Sequence, residues 1–226
     1  MKIGGWQGIS LIDYPEKISS IVFFSGCNMK CGFCQNPSLV KSIEETKEDV
    51  VINAIIERKD FIDGIVLTGG EPTIQDRLID FCKYFKDHGF SIKLDTNGYL
   101  PDMIERLISI VDYIAMDIKA VFSDYDKVCG INVDIEKIKA SMEIIKNSTI
   151  DYEFRTTCVP IIITEEKIVE IAGYIPWTKR YVLQQYRNEN TLDPNFLNIR
   201  PYPPEKIHRF ASLANDFIHN VGVVGV

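Results

Sequence analysis

The sequence predicts an α/β protein folded as an incomplete (β/α)6 TIM-like barrel, with parallel strands inside and helices outside. Short runs rich in β-branched and aromatic residues alternate with amphipathic segments along nearly all 226 residues. Helical segments between strands make the strands parallel and the connections right-handed. Six such units are fewer than the eight of a closed barrel, and a doubly wound open sheet is the alternative.

The predicted strands are short apolar runs, each followed by polar or glycine-rich residues. They are Ser20–Phe24, Gly64–Thr68, Ser91–Asp95, Asp112–Asp117, Tyr152–Val159 and Arg180–Gln185. The predicted helices are Lys47–Lys59, Gln75–Asp87, Pro101–Ser109, Asp134–Lys146, Glu165–Tyr174 and Pro204–His219. Pro101 and Pro204 suit a first helical turn, and Thr164 before two acids suits an N-cap. An apolar tail, Val221–Val226, follows the last helix.

The composition fits a single compact domain over residues 1–226, with 46% apolar and 25% charged residues. No apolar stretch approaches the roughly 20 residues that span a bilayer, and no signal peptide precedes the first strand. We therefore expect a cytoplasmic location and no membrane partner. A net charge of −7 without basic clusters excludes general nucleic-acid binding.

Three cysteines lie close together in the sequence: Cys27, Cys31 and Cys34. This crowding favours thiolate ligands in a reducing compartment over disulfides. Three thiolates would hold a [4Fe–4S] cluster and leave one iron open for catalysis, whereas four would saturate it. A structural zinc site is the alternative, but no second spaced pair of ligands is present to complete it. The remaining three are predicted to be small buried residues: Cys82, Cys129 and Cys158.

Polar residues follow the other predicted strands, at the end where function sits in parallel α/β folds. These candidate site residues are Gly69, Gly70, Glu71, Asp95, Asn97, Asp117, Lys119, Arg155 and Gln185. Asp95 and Lys119 put an acid and a base at neighbouring strand ends, an arrangement that complements a zwitterion. We expect all of them to meet the three cysteines in one site.

The C-x₃-C-x₂-C loop with Phe33 before its last cysteine, followed by Gly69-Gly70-Glu71-Pro72, resembles the radical S-adenosylmethionine (SAM) superfamily. The resemblance implies that Cys27, Cys31 and Cys34 are the catalytic cluster ligands, and that the open iron chelates SAM. One electron would then cleave the S–C5′ bond to methionine and a 5′-deoxyadenosyl radical. The residues implied to bind SAM are Phe33, Asn36, Gly69, Gly70, Glu71, Asp95, Asn97, Asp117, Lys119, Arg155 and Gln185.

A narrower resemblance concerns the substrate. Leu94–Gly98 followed by Met116–Lys119 is similar to the glycyl-radical-enzyme activating proteins, which implies a monovalent cation near Asp95 and Asp117. Ser10–Pro15 and Leu183–Arg187 resemble the anaerobic ribonucleoside-triphosphate reductase activating proteins. The implied partners are a glycyl radical enzyme, namely that reductase, and a low-potential electron donor such as flavodoxin or ferredoxin.

Two other functions remain open from the residues alone. Phe24-Ser25-Gly26-Cys27-Asn28 is also similar to 7-carboxy-7-deazaguanine synthases, whose substrate is a small pterin. A non-enzymatic iron–sulfur carrier is the third class, which the open iron and the charged strand ends disfavour. For a protein substrate we expect an exposed groove bordered by the irregular segment Asn188–Pro204.

Overall fold

The computed structural model describes residues 1–41 and 46–226 and is organised around one eight-stranded sheet. The strands are β1 Ile3–Ser10, β2 Ser19–Phe24, β3 Gly64–Gly69, β4 Ser91–Thr96, β5 Tyr113–Asp117, β6 Asp151–Cys158, β7 Tyr181–Gln185 and β8 Val221–Val224. They neighbour one another in sequence order. From β2 to β8 every pair is parallel, and β1 is antiparallel to β2.

This strand order decides between the two predicted architectures. A doubly wound sheet reverses its order at a switch point. Here every crossover advances in the same direction, so right-handed connections place the helices on one face and the sheet curves around the other. In the described part of the chain β1 and β8 do not pair, so the barrel stays open between them. The predicted incomplete barrel is confirmed.

The helices lie between the strands, as predicted. They are α1 Pro37–Lys41, α2 Glu48–Ile56, α3 Leu78–Asp87, α4 Pro101–Leu107, α5 Tyr125–Cys129, α6 Ile135–Lys146, α7 Glu165–Tyr174 and α8 Pro204–Asn215. Pro101 and Pro204 stand at the starts of α4 and α8, and the Thr164 side chain accepts a hydrogen bond from the backbone N–H of Lys167. The local signals for these helix starts are therefore confirmed.

Two strands and the ends of some helices differ from the prediction. The edge strand β1 carries three glycines and two register shifts, which remove the regular alternation that marks a strand. The four-residue strand β8 lies within what was predicted only as an apolar tail. Before α3, Pro72–Ile74 forms a separate 3₁₀ turn, so that helix begins at Leu78. None of the described helices is long and apolar enough to cross a membrane.

The concave side of the sheet is filled at one end only. A small apolar cluster, Tyr14, Ile21, Val66, Tyr113 and Ala115, packs near the amino ends of the strands. The rings of Tyr14 and Tyr113 lie 6.1 Å apart, and the Tyr14 ring packs against the Gly64 backbone at the start of β3. The main core lies between the outer face of the sheet and the helices. The carboxyl ends of the strands are left to line a cavity.

Candidate active site

The cysteine loop leaves β2 and is fixed by backbone hydrogen bonds on several sides. The amide of Gly26 donates to the carbonyl of Leu39 at 2.8 Å, and the amide of Lys30 donates to the carbonyl of Cys129 at 2.8 Å. The three cysteines of the loop line one cavity of about 310 Å³ at the carboxyl end of the sheet. The loop therefore has its ligand-bearing side turned towards the other strand ends.

The predicted site residues meet in this cavity, with one exception. Those that line it are Cys27, Cys31, Phe33, Cys34, Asn36, Gly69, Gly70, Glu71, Asp95, Asn97, Asp117, Lys119 and Arg155. The exception is Gln185, whose Nε2 donates to the Tyr202 carbonyl at 2.7 Å. Its neighbour Gln184 lines the cavity instead. Gln185 and Gln184 both line a second cavity that adjoins this one.

Other lining residues were absent from the predicted set. Asp13, in the connection between β1 and β2, and Thr157 on β6 both face the cavity. Asp13 belongs to the Ser10–Pro15 motif, so that motif was a usable signal. Thr157 lies two residues after Arg155 and therefore shares its face of β6, which the period of two could have shown.

The two glycines of the Gly69-Gly70-Glu71 loop allow close contact between two backbone segments. A Cβ on Gly70 would lie 2.0 Å from the Gly26 carbonyl oxygen, so no larger residue fits. The amide of Gly70 donates to Phe24 at 2.8 Å, and that of Glu71 donates to Gly26 at 2.9 Å. From the family resemblance we expected these two glycines to bind SAM. The structure shows that they also join the β3 loop directly to the cysteine loop.

Glu71 is a buried junction between this loop and β4. Its Oε1 accepts from the hydroxyls of Thr73 at 2.6 Å and Thr96 at 2.8 Å, and its Oε2 accepts from the Asn97 amide at 2.7 Å. Burial raises the pKa of this carboxyl although these donors oppose the rise. Both oxygens of Glu71 are thus used within the protein.

Alternating charges cross the concave face between β4, β5 and β6. Arg155 donates from Nη1 to Asp95 Oδ2 at 3.1 Å and from Nε to Asp117 Oδ1 at 3.0 Å. Lys93 pairs with the other oxygen of Asp95, and Lys119 Nζ lies 3.2 Å from Asp117 Oδ2. Three cations thus enclose two carboxylates at the strand ends, and the guanidinium lies between the two acids.

These pairings hold the acids and bases in their charged forms. Burial alone would raise the pKa of Asp95 and of Asp117, but Arg155 and the neighbouring lysines outweigh it and lower both. The pKa of Lys119 is raised well above its usual value because the Asp117 carboxylate and the cysteine sulfurs outweigh its burial. The cavity therefore offers fixed charges of both signs to a zwitterionic ligand.

The thiols of the loop differ from one another. Burial raises the pKa of the Cys27 thiol to about 12 and also raises that of Cys34. The Cys129 thiol lies beside Cys31 and lowers its pKa although burial opposes it. Cys129 was predicted to be a small buried residue, and it is fully buried, as are Cys82 and Cys158. The position of Cys129 beside Cys31 was not predicted from the sequence.

The arrangement of the thiols suits separate irons better than one ion. Within residues 1–41 and 46–226, no three His, Cys, Asp or Glu side chains converge as a single metal ion requires. Zinc needs that convergence because all its ligands bind one ion. In a cubane each thiolate binds a different iron, so three spaced thiols at one cavity fit three corners of a [4Fe–4S] cluster.

A second cavity of about 590 Å³ adjoins the first. The two share Asp13, Gln35, Arg155 and Gln184 as wall residues. The other walls of the second cavity come mainly from the β1–β2 connection, β7 and β8, and they carry the side chains of Ile12, Lys93, Glu153, Arg180, Val182 and Arg187. The two cavities therefore form one continuous space that leads from the cysteine loop towards the unpaired edges of the barrel.

The irregular segment Asn188–Pro204 covers the outer side of the cysteine loop. The amide of Leu192 donates to the Cys34 carbonyl at 3.2 Å, and that of Asp193 donates to the Gly32 carbonyl at 2.9 Å. The Phe196 ring lies 6.3 Å from the Phe33 ring. We predicted that this segment borders a groove. The segment packs on the cysteine loop, and Leu192, Asp193 and Phe196 also line a separate cavity of about 360 Å³ beside it.

Comparison with known proteins agrees with this site. Residues 21–175 match the model of the radical SAM superfamily. The chain is 36% identical to the Methanocaldococcus jannaschii protein named "Putative glycyl-radical enzyme activating enzyme MJ1227", over 97% of this chain and 94% of that one. It is 31% identical to the pyruvate formate-lyase-activating enzyme of Clostridium pasteurianum, over 54% of each chain.

Solved structures share the fold. A domain of the pyruvate-formate lyase-activating enzyme from Bacteroides vulgatus has a TM-score of 0.60 at 14% identity, covering 72% of this chain and 99% of that chain. Streptococcus suis SuiB bound to its precursor peptide SuiA has a TM-score of 0.71 at 16% identity, covering 91% and 48%. At these identities the likeness is evidence of a common fold and of nothing finer.

The chain belongs to the radical SAM superfamily and, with these relatives, to its glycyl-radical-enzyme activating branch. It is an enzyme of that superfamily, and membership implies a [4Fe–4S] cluster and SAM as cofactors.

Proposed function

We propose that this superfamily member, as one domain over residues 1–226, generates a glycyl radical on a partner enzyme, and that the partner is the anaerobic ribonucleoside-triphosphate reductase. The relatives named above support an activating enzyme, and the Ser10–Pro15 and Leu183–Arg187 motifs favour this particular reductase. The continuous double cavity is the observation that carries the proposal. It offers one space at the cysteine loop and a second, nearer the open edge of the barrel, for a segment of another protein.

The proposed roles follow the geometry of the first cavity. Cys27, Cys31 and Cys34 hold the cluster, and Lys119 binds the SAM carboxylate while Asp95 accepts from the SAM ammonium. When bound, the cluster and SAM would supply the radical chemistry that removes one hydrogen atom from a glycine Cα of the partner, with one electron from the low-potential donor. Phe33, buried at the cavity wall, would pack against the adenine.

Arg155 defines the proposed cation site. Its guanidinium bridges Asp95 and Asp117, so these two acids already share a positive charge. We propose that a monovalent cation replaces it there when Arg155 turns to an oxygen of SAM. Potassium or sodium ions should then tighten SAM binding to the native enzyme and leave SAM binding to the Asp117→Asn variant nearly unchanged.

The proposed cellular context is a reducing cytoplasm with a low-potential donor, flavodoxin or ferredoxin. Free thiols at all six cysteines agree with a reducing compartment.

The decisive experiment supplies the reconstituted enzyme with reductant, SAM and the reductase under anaerobic conditions. We expect a glycyl-radical resonance on the reductase and one 5′-deoxyadenosine formed per radical. A reductase whose acceptor glycine is replaced by alanine is the matched control and should give neither. SAM cleavage that yields no radical on the reductase, together with turnover of a small pterin, would instead support the deazaguanine-synthase alternative.

A further inference from the structure

The separate cavity of about 360 Å³, which we call the outer cavity, lies on the outer side of the cysteine loop. Among the described residues it shares no wall residue with the first or the second cavity. Lys30 and Gly32, the residues on either side of Cys31, line the outer cavity, whereas Cys31 itself lines the first cavity. The loop backbone at Cys31 therefore separates the outer cavity from the three cysteines.

Segments from distant parts of the chain hold the wall of the outer cavity against the loop. The amide of Lys30 donates to the Cys129 carbonyl at 2.8 Å, and a Cβ on Gly130 would lie 2.6 Å from the Lys30 carbonyl oxygen. On the other side, the Asp193 amide donates to the Gly32 carbonyl at 2.9 Å. A molecule bound in the outer cavity would thus contact the same loop that carries the cysteines.

The exposed charged residues that line the outer cavity are positive, although the whole chain has a net charge of −7. Lys30 and Lys127 are exposed on its wall, and within the described residues neither forms an ion pair. The third wall lysine, Lys167, is half-buried and lies 2.6 Å from Asp124. The remaining wall carboxylate, Asp193, is half-buried. Three lysines against two aspartates leave a positive excess, which lies on the exposed lysines.

Apolar side chains complete the surface of the outer cavity. Ile161 is 74% exposed, although an isoleucine side chain is stabilised by burial. Its backbone has a φ of +69°, a conformation that β-branched residues rarely adopt. The half-buried side chains of Leu192 and Phe196 line the same cavity. Backbone strain and apolar exposure at one residue, beside unpaired lysines, indicate a surface that another molecule covers.

We propose that the outer cavity and its two exposed lysines form the docking surface for an acidic electron-transfer protein, which reduces the cluster from the outer side of the cysteine loop. The inference rests on the proposed low-potential protein donor and is independent of which enzyme receives the radical. One electron passes from the reduced group of the donor to the cluster, so the donor is oxidised by one electron. The net charge of −7 repels an acidic donor elsewhere, and the exposed lysines attract it here.

The test measures how an acidic flavodoxin docks on the reconstituted enzyme. In Lys30→Glu/Lys127→Glu we expect the Kd of oxidised flavodoxin to rise about tenfold at low salt. The rate of reduction by flavodoxin hydroquinone should fall by a similar factor. Both differences should shrink in high salt, because salt screens exposed charges. A native Kd and a native rate in this variant would overturn the proposal.

The matched control reverses two other lysines. Lys59 and Lys83 are exposed and line none of the three cavities, and Lys59→Glu/Lys83→Glu gives the same change in net charge. This control should keep the Kd and the rate within about twofold of the native values, because the distant charges act only through the overall field. An equal effect in both double variants would show that net charge alone governs the encounter, and the docking surface would be refuted.

A small chemical reductant separates docking from damage to the cluster. Dithionite needs no protein surface, so the reduced-cluster resonance and the glycyl-radical yield with dithionite should be equal in the native and the Lys30→Glu/Lys127→Glu enzymes. If neither enzyme gives a glycyl radical while the flavodoxin effect persists, the proposed substrate is wrong and the docking surface stands. If reduction by dithionite falls as much as reduction by flavodoxin, the lysines support the cluster itself and the docking proposal fails.

Ile161→Gly tests the apolar part of the surface without harm to the fold. Glycine adopts a φ of +69° without strain, so the free energy of unfolding should not fall. Loss of the exposed side chain should nevertheless raise the Kd of flavodoxin about threefold. Carbodiimide cross-linking should join flavodoxin carboxylates to Lys30 or Lys127. Cross-links found only at lysines away from the outer cavity, with an unchanged Kd in Ile161→Gly, would overturn the location.

Discussion

The region that matches the family model, residues 21–175, differs from residues 176–226 in what it gives the site. The first region contains β2 to β6 and nearly every residue that we expect to touch the cluster or SAM. The second contains β7, α8 and β8, and it adds Gln184 to the first cavity. It also supplies much of the wall of the second cavity and the segment packed on the cysteine loop.

The difference separates two tasks. In the first region, side chains are held by buried charges and by backbone contacts that tolerate no added atom, as at Gly70. In the second region, the wall residue Arg187 is exposed, and Arg180 is half-buried and pairs with Glu153 instead of with Asp95 or Asp117. Cofactor chemistry is thus built into the first region, and recognition of the substrate has room to differ in the second.

The largest expected effect comes from removing a loop cysteine in the first region. Cys31→Ala should abolish the [4Fe–4S] signal and all SAM cleavage, because two thiolates cannot hold the cluster securely. Cys82→Ala is the matched control, since Cys82 is also buried but lies on α3 away from the cavity. Iron content and the resonance of the reduced cluster are measured for both variants. An intact signal in Cys31→Ala would contradict the assignment of the ligands.

A large loss of stability should follow when the charge network of the first region is broken. Arg155→Met leaves Asp95 and Asp117 without their shared cation and should lower the free energy of unfolding by roughly 2–4 kcal/mol. Denaturant unfolding of the cluster-free protein measures it. Arg209→Met, which breaks the exposed pair with Glu165, is the control and should cost much less. Equal losses of unfolding free energy in the two variants would show that the buried network stabilises the fold no more than an exposed ion pair does.

A change in the second region should affect substrate and not SAM. Arg187 lines only the second cavity, so Arg187→Ala should leave SAM cleavage within about twofold and lower the glycyl-radical yield about tenfold, or about 1.4 kcal/mol. Arg200 is an exposed arginine in the following segment, Asn188–Pro204, and lines neither cavity, so Arg200→Ala should change neither quantity. An equal loss of SAM cleavage and of glycyl-radical yield in Arg187→Ala would show that the two regions do not have separate tasks.

The smallest expected effect is a pH dependence of stability that originates in the first region. The pKa values of Asp95 and Asp117 are lowered in the folded protein, so the unfolded chain binds protons more readily. Their contribution is complete above the unfolded value of about 3.9 and is lost as the pH falls through the lowered values. In cluster-free protein, Asp95→Asn should flatten the acid limb of the unfolding curve. An unchanged limb would contradict the lowered pKa.

Site residues of the first region were predicted more completely from the sequence than those of the second. Motifs with fixed spacing, such as the cysteine loop and the Gly69-Gly70-Glu71 loop, directed attention to residues that share one cavity. Alternation along a strand was less informative, because a run such as Gln184-Gln185 does not show which residue lines which cavity. Gln184 lines both cavities, whereas Gln185 lines the second.

Other features depended on contacts that no local pattern encodes. Cys31 and Cys129 come from distant parts of the chain, yet they lie close enough for the Cys129 thiol to lower the pKa of Cys31. The hydrogen bond from Asn97 to Asn28 also spans 69 positions. The orientation of the Asn97 carboxamide is fixed by the Tyr99 amide, which donates to its oxygen. The edge strand β1 was missed because glycines and register shifts conceal its period. Each of these becomes visible only when the strands are placed side by side.

The segment packed on the cysteine loop also has a consequence for the order of folding. Gln35 donates to the Arg187 carbonyl across 152 sequence positions, beside the bonds from Leu192 and Asp193 to the same loop. Closing so long a chain loop is entropically costly, so we expect these contacts to form late in folding. A partly folded form without β7 would then leave the cysteines open from the outside. We expect iron and sulfide to reach them most easily at that stage, before the last quarter of the chain packs on the loop.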